Sequence, residues 1–236
     1  MHRFGRRVMP PSPAAVLVCQ VDILRKFTQA SKILNVPSEN RTFIEEARRA
    51  QIIECAIQAI ATLGYSQASM SKIAKLAKIS TGVISYHFGN KDELIKAIVA
   101  HVTKLAVDMM IPQIVAQPTA SEALRAYLTT NLEFMRLHQQ PLLALVEIIS
   151  HGRAEDGGPS PYTEQNETAL TDLEQVLAWG QQSGEFRDFD LRTMAIAIRG
   201  AIDATPSEIL KNRDFDLQRH ASELSTLFTL AARKTP

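Results

Sequence analysis

A chain of 236 residues with 45% hydrophobic and 22% charged side chains has the composition of a folded protein with one large domain or two small ones, which excludes fibrous and wholly disordered architectures. No stretch reads as a membrane span. The formal charge of +1 is unevenly distributed: residues 1–40 carry +4, residues 41–104 carry +4 and residues 105–236 carry −7, so a basic front suited to a polyanion precedes an acidic back with another task.

Residues 1–21, rich in Pro and Arg, are expected to be disordered. Their apolar run at 14–19 is too short and too Pro-flanked for a secretory signal. In residues 22–36, Ile23, Phe27, Ala30 and Leu34 recur at helical spacing, which predicts a short amphipathic helix. Pro37-Ser38-Glu39-Asn40 interrupts it. Cys19 and Cys55 have no pairing or metal-ligand spacing and are read as reduced thiols in a cytoplasmic protein.

Helical periodicity then predicts a helix over 41–63, stopped by Gly64. Ser69 caps a second helix whose buried face is Ile73, Ala74 and Ala77. After a turn at 78–80, a short third helix over 81–88 stops at Gly89. Asn90 caps the next, with Asp92 and Glu93 in its first turn and Glu93 placed for a capping box; Pro112 is expected to disturb this helix near 111. Further helices are expected over 121–137, 142–151, 163–183, 191–210 and 216–233, separated by Pro and Gly breaks. No strand alternation or internal repeat is present, so the chain reads as all-α.

The second and third predicted helices, joined by three residues, have the form of a helix-turn-helix, whose second helix enters the DNA major groove with its N-terminal residues at the base edges. On the third helix Ile84 and Phe88 face one way. Gly82, Val83 and Tyr86 face the other, offering a partner no long charged chain. Between Cys55 and Lys91 there is no Asp or Glu, so nothing on this stretch repels a phosphate backbone. Ser69, Ser71, Lys72, Lys75, Lys78 and Lys91 could reach phosphates.

These residues carry a resemblance. Gly64-Tyr65, Ser69-Met70-Ser71-Lys72-Ile73-Ala74, Ile79-Ser80-Thr81-Gly82-Val83-Ile84-Ser85-Tyr86-His87-Phe88 and Asn90-Lys91-Asp92-Glu93-Leu94 resemble the DNA-binding domain of TetR-family bacterial transcriptional regulators over about 41–99. The resemblance implies a three-helix DNA-binding domain at 41–97 and a larger helical effector-binding and dimerisation domain at 98–236, with about nine helices in all, after an extension at 1–40. That extension lies outside the pattern and reads as an arm or as a start-site artefact. The implied protein is a cytoplasmic homodimer that represses transcription from a near-palindromic operator and releases it when a small molecule binds. Ser80, Thr81, Gly82 and Val83 would open the recognition helix, Ser85, Tyr86 and His87 would continue it, Lys91 and Ser69 would hold phosphates, and Arg49 would touch the backbone. Ser71 and Lys72 depart from the basic-then-acidic pair common in the family.

For the last two helices, Met194, Ile198, Ala201 and Ile202 with Leu224, Leu227, Phe228 and Ala231 are expected either to pack on a second copy or to form internal core. Met109, Tyr127, Phe134, Met135, His138, His151 and Trp179 are candidates for an effector pocket, although such a set equally describes a helical core. No cofactor or metal is expected, since His138 and His151 lack ligand spacing. Enzymatic readings find no G-x-S-x-G, HExxH, P-loop or Gly-rich nucleotide fingerprint. A membrane adaptor anchored through residues 22–36 would have only a short stripe and three basic residues.

Overall fold

The computed structural model describes residues 42–151, 162–212 and 214–234. The helix expected at 22–36, Cys19 and the Gly157–Pro161 break lie outside them. Nine helices follow in order among the described residues: α1 Phe43–Leu63, α2 Met70–Ala77, α3 Thr81–Phe88, α4 Lys91–Val115, α5 Ala120–Leu137, α6 Gln139–His151, α7 Tyr162–Ser183, α8 Leu191–Lys211 and α9 Leu217–Ala232. The fold is all-α. One antiparallel bridge, Phe186 with Arg233, ties the α7–α8 loop to the chain leaving α9, and no described helix is long and apolar enough to cross a membrane.

Short polar side chains start most of these helices. Ser69, Ser80, Asn90, Thr119, Asp190 and Asp216 each accept a first-turn backbone N–H, answering donors that would otherwise lack a partner. α1 has a full capping box: Thr42 N–H donates to Glu45 Oε2 at 2.9 Å and Glu45 N–H to Thr42 Oγ1 at 3.3 Å. At α4 the expected box is half formed, because Asn90 accepts from Glu93 N–H at 2.9 Å while the Glu93 carboxylate turns to Lys96 at 2.7 Å.

Two proline expectations are corrected. α4 continues through Pro112 to Val115, since a proline one turn from a helix end removes only one bond. α6 starts at Gln139 rather than 142, placing Pro141 in a first turn whose N–H groups have no intrahelical acceptor anyway.

Two apolar cores form. Ile52, Ile57 and Ile60 of α1 meet Ile73, Ile84, Leu94 and Ile98, and Phe134, Ala144 and Ile148 enter the same cluster from α5 and α6. The second core gathers Leu124, Leu128 and Leu132 of α5 with Leu173, Leu177, Ile198, Ile202 and Phe228. α5 is its axis, touching α4, α7, α8 and α9, and α4 runs unbroken from the first core to the second.

The candidate dimer residues divide by burial. Ile198, Ile202, Leu224 and Phe228 lie in their own chain's core, with Met194 and Ala201 packed against it, so they are not surface groups. Only Leu227 of that set stands well out, at 58% exposure. The large apolar groups exposed on these helices are instead Ile196, Leu210, Leu227 and Leu230, with exposed Ala197, Gly200 and Ala204 on α8 as well.

Candidate DNA-binding surface

The α2–α3 turn is built from backbone chemistry. Lys78 takes the left-handed conformation (φ 56°), its N–H reaching Lys75 O at 3.2 Å, and Ile79 N–H reaches back to Ala74 O at 3.0 Å, closing α2 with a reverse turn. Ser80 then caps α3, accepting Val83 N–H at 3.4 Å. From α1, Gln51 Nε2 donates to Ala77 O at 3.3 Å. With Ile84 and Phe88 buried, the opposite face of α3 is left open: Thr81, Gly82, Ser85 and Tyr86 are exposed, and Val83 and His87 are half-buried. Tyr86, 76% exposed, packs edge-on against His87 with ring centroids 5.1 Å apart.

Ser69, Ser71 and Lys72 are exposed at the start of α2, where Ser69 accepts Lys72 N–H at 3.3 Å and Lys72 Nζ donates to Gln67 at 3.1 Å. Lys75 and Lys78 are exposed beside them, a basic fringe next to the α3 face.

Two residues expected at the phosphates have partners within the protein. Arg49 donates to the His87 carbonyl and lies 4.1 Å over the Phe88 ring, fixing the C-terminal end of α3. Lys91 Nζ donates to Tyr65 O at 3.1 Å and sits 4.3 Å over the Tyr65 ring. Tyr65 N–H in turn donates to Glu147 Oε2 of α6 at 3.0 Å. Gly64 permits this approach: its φ is +80°, and a Cβ there would come within 3.3 Å of the same oxygen. Glu45 of α1 is held below the usual carboxylate range by its bonds to Thr42 and also accepts from Tyr86 Oη at 3.4 Å.

The sequence profile for bacterial regulatory proteins of the tetR family matches residues 52–98. Beyond that segment, the chain is 30% identical over 169 residues to the fatty acid metabolism regulator protein of Bacillus subtilis (strain 168), covering 71% of this chain and 86% of that one. The protein is a TetR-family regulator. The solved structure of FadR from Bacillus subtilis in complex with stearoyl-CoA is 26% identical and superposes with a TM-score of 0.65, covering 76% of this chain and 97% of that one. A TetR-family transcriptional regulator from Rhodococcus sp. shares the fold at a TM-score of 0.70 and 18% identity, over 78% of this chain and 98% of that one. This TetR-family regulator is accordingly a DNA-binding transcriptional regulator.

The seven effector candidates of the regulator do not converge. Tyr127 and Trp179, with Met135, belong to the C-terminal core. Phe134 is in the N-terminal core with Met109 packed on it, and His138 stacks on Phe134 at 4.6 Å. His151 is exposed and lies 3.5 Å from Glu147. A cleft of about 790 Å³ between α5 and α9, lined by Arg125, Thr129, Glu133, Arg136 and Ser222 among others, includes none of them.

The C-terminal core does hold a polar group that the sequence reading missed. Arg199 of α8, with 13% of its side chain exposed, donates to Asp203 at 2.6 Å, to Asn131 Oδ1 at 3.3 Å and to Tyr127 Oη at 3.4 Å. Its signal was available, because Arg199 sits on the Ala195–Ile198–Ile202 stripe where a charge needs a reason. Burial pushes the carboxyl of Asp172 of α7 up to about 6.

Proposed function

We propose that this regulator is a homodimeric repressor that holds a near-palindromic operator through α2 and α3 and releases it when an acyl-CoA thioester binds among the C-terminal helices. The observation that carries the reading is the likeness, over nearly the whole length of FadR, to a regulator crystallised with stearoyl-CoA, joined to the open face of α3, a helix that itself carries no acid. Residues 41–97 read the DNA and residues 98–236 bind effector and pair the subunits. Thr81, Gly82, Ser85 and Tyr86 meet the base edges, with Val83 and His87 at the margin, while Ser69, Ser71, Lys72 and Ser80 meet the backbone. Lys91, at the head of α4, reaches phosphate beside them.

Pairing through α8 and α9 is supported by the exposed Ile196, Leu227 and Leu230. Gly200, where an added Cβ would meet nothing within 4 Å, lets a second helix approach closely. Two copies present two recognition helices, which an operator with two half-sites requires. The protein works in the cytoplasm, where operator and thioester are both accessible.

The test is binding of the purified protein to the DNA upstream of its own gene, over a salt series with unrelated competitor DNA, followed by titration with acyl-CoA thioesters. Saturable, salt-sensitive binding that survives competitor and is reversed by a thioester supports the reading. Binding of equal strength to both DNAs, or an operator complex indifferent to every thioester, overturns the corresponding half.

A further inference from the structure

The cleft between α5 and α9 is lined by polar side chains, although the core beneath it is apolar. Ser225 of α9 faces this cleft with only 5% of its surface exposed, and its hydroxyl has no hydrogen-bond partner among the described residues. Buried hydroxyls are ordinarily matched, so a partner for this one has to come from within the cleft. Arg125 lines the same cleft. It is exposed, and its guanidinium is unpaired among the described residues, whereas Arg136 is held by Glu133 through bonds of 2.8 and 2.6 Å. Two guanidinium groups and one carboxylate leave a net positive lining, inside a segment, 105–236, whose charge is −7. The threonines differ in what they offer. Thr129 Oγ1 donates to Arg125 O and Thr226 Oγ1 to Ser222 O, both at 2.9 Å, so each keeps acceptor lone pairs for a ligand. Ser225 and Leu227 stand two positions apart, on nearly opposite sides of α9, and pairing through Leu227 therefore leaves the cleft open.

We propose that this cleft binds a nucleotide through its phosphorylated ribose. Arg125, Ser222 and Ser225 supply donors for the phosphate, and Thr129 and Thr226 accept from the sugar hydroxyls. Leu217 and Ala221, half-buried on the α9 wall, are apolar seats for the base. At about 790 Å³ the cleft has the size of a small-molecule site. Two sources present this chemistry: the nucleotide end of a CoA thioester and a free nucleotide. The first source rests on the acyl-thioester reading above, whereas the site itself does not.

The test is calorimetric titration of the full-length protein with adenosine 3′,5′-bisphosphate, adenosine and stearoyl-CoA. The bisphosphate should bind at least about tenfold more tightly than adenosine, and Arg125→Ala should remove that advantage. Ser225→Ala should weaken the bisphosphate by about threefold or more. Both variants should melt with the parent, since Arg125 is exposed and the Ser225 hydroxyl gives up no bond within the described chain. Competition then assigns the source: displacement of the bisphosphate by stearoyl-CoA identifies the CoA head, and simultaneous binding of the two identifies a free nucleotide. No binding of the bisphosphate, or binding that both substitutions leave unchanged, overturns the inference; stearoyl-CoA bound equally by parent and variants would then leave the acyl-thioester reading standing. If stearoyl-CoA alone fails to bind, that reading falls and the nucleotide site stands.

Discussion

The guanidinium of Arg49 points into the protein, against the His87 carbonyl and the Phe88 ring. Arg49→Ala should therefore lower stability by about 1.5–3 kcal/mol, the range for a charged hydrogen bond. It should also weaken binding to all DNA sequences without changing the salt slope, since no phosphate contact disappears. A slope reduced by about one unit would restore the backbone contact expected from sequence. Arg49→Lys should rescue little, because an ammonium has no planar face for Phe88. Asp172 supplies a second residue-level test, through pH. Its folded carboxyl titrates near 6 against about 4 unfolded, so the native state binds the proton more tightly. Stability contributed by the protonated form is intact below about pH 4, declines as pH rises toward 6 by up to about 3 kcal/mol, and is level above. Asp172→Asn should remove that decline in urea unfolding measured at successive pH values. At this scale sequence showed which residues were polar and at what spacing, but Arg49, Lys91 and Arg199 look alike on a helix until their neighbours are known.

Among the elements, α7 depends on a missing side chain. A Cβ at Gly180 would overlap the Phe186 ring, and Phe186 N–H donates to Gly180 O at 2.9 Å, so the loop folds back onto the helix that precedes it. Gly180→Ala should cost about 1–3 kcal/mol through overpacking, seen as a lower denaturant midpoint. An unchanged midpoint would mean the ring moves aside freely. The start of α3, the Gly64 stop and the turn at 78–80 were legible because Ser, Gly and turn residues mark helix ends by local chemistry. Pro112 and Pro141 misled, since a proline near a helix end reads as a break but is tolerated in a terminal turn.

For the molecule as a whole, the order of the helices was readable from sequence, and which faces of α8 and α9 turn outward was not. α8 carries Ala195, Ile198 and Ile202 inward and Ile196 with Gly200 outward; periodicity finds both stripes but cannot say which one meets its own chain. The homodimer proposed above predicts that Leu227→Glu, placed on the exposed stripe, yields a monomer by light scattering. It should also lower operator affinity by at least about a hundredfold through loss of linked half-sites. A dimer of unchanged affinity would put the interface elsewhere. The same substitution at Phe228, which is core, should unfold the protein instead.

Tyr65 lies where three helices meet. Its N–H is bound to Glu147 of α6 and its carbonyl to Lys91 at the head of α4, while four residues on Ser69 opens α2. The residue is thus gripped from both sides, like a coupling pin between two levers. A displacement of α6 longer than one hydrogen bond can stretch must either carry this pin with it, tilting the reading head, or uncouple the head from the body altogether.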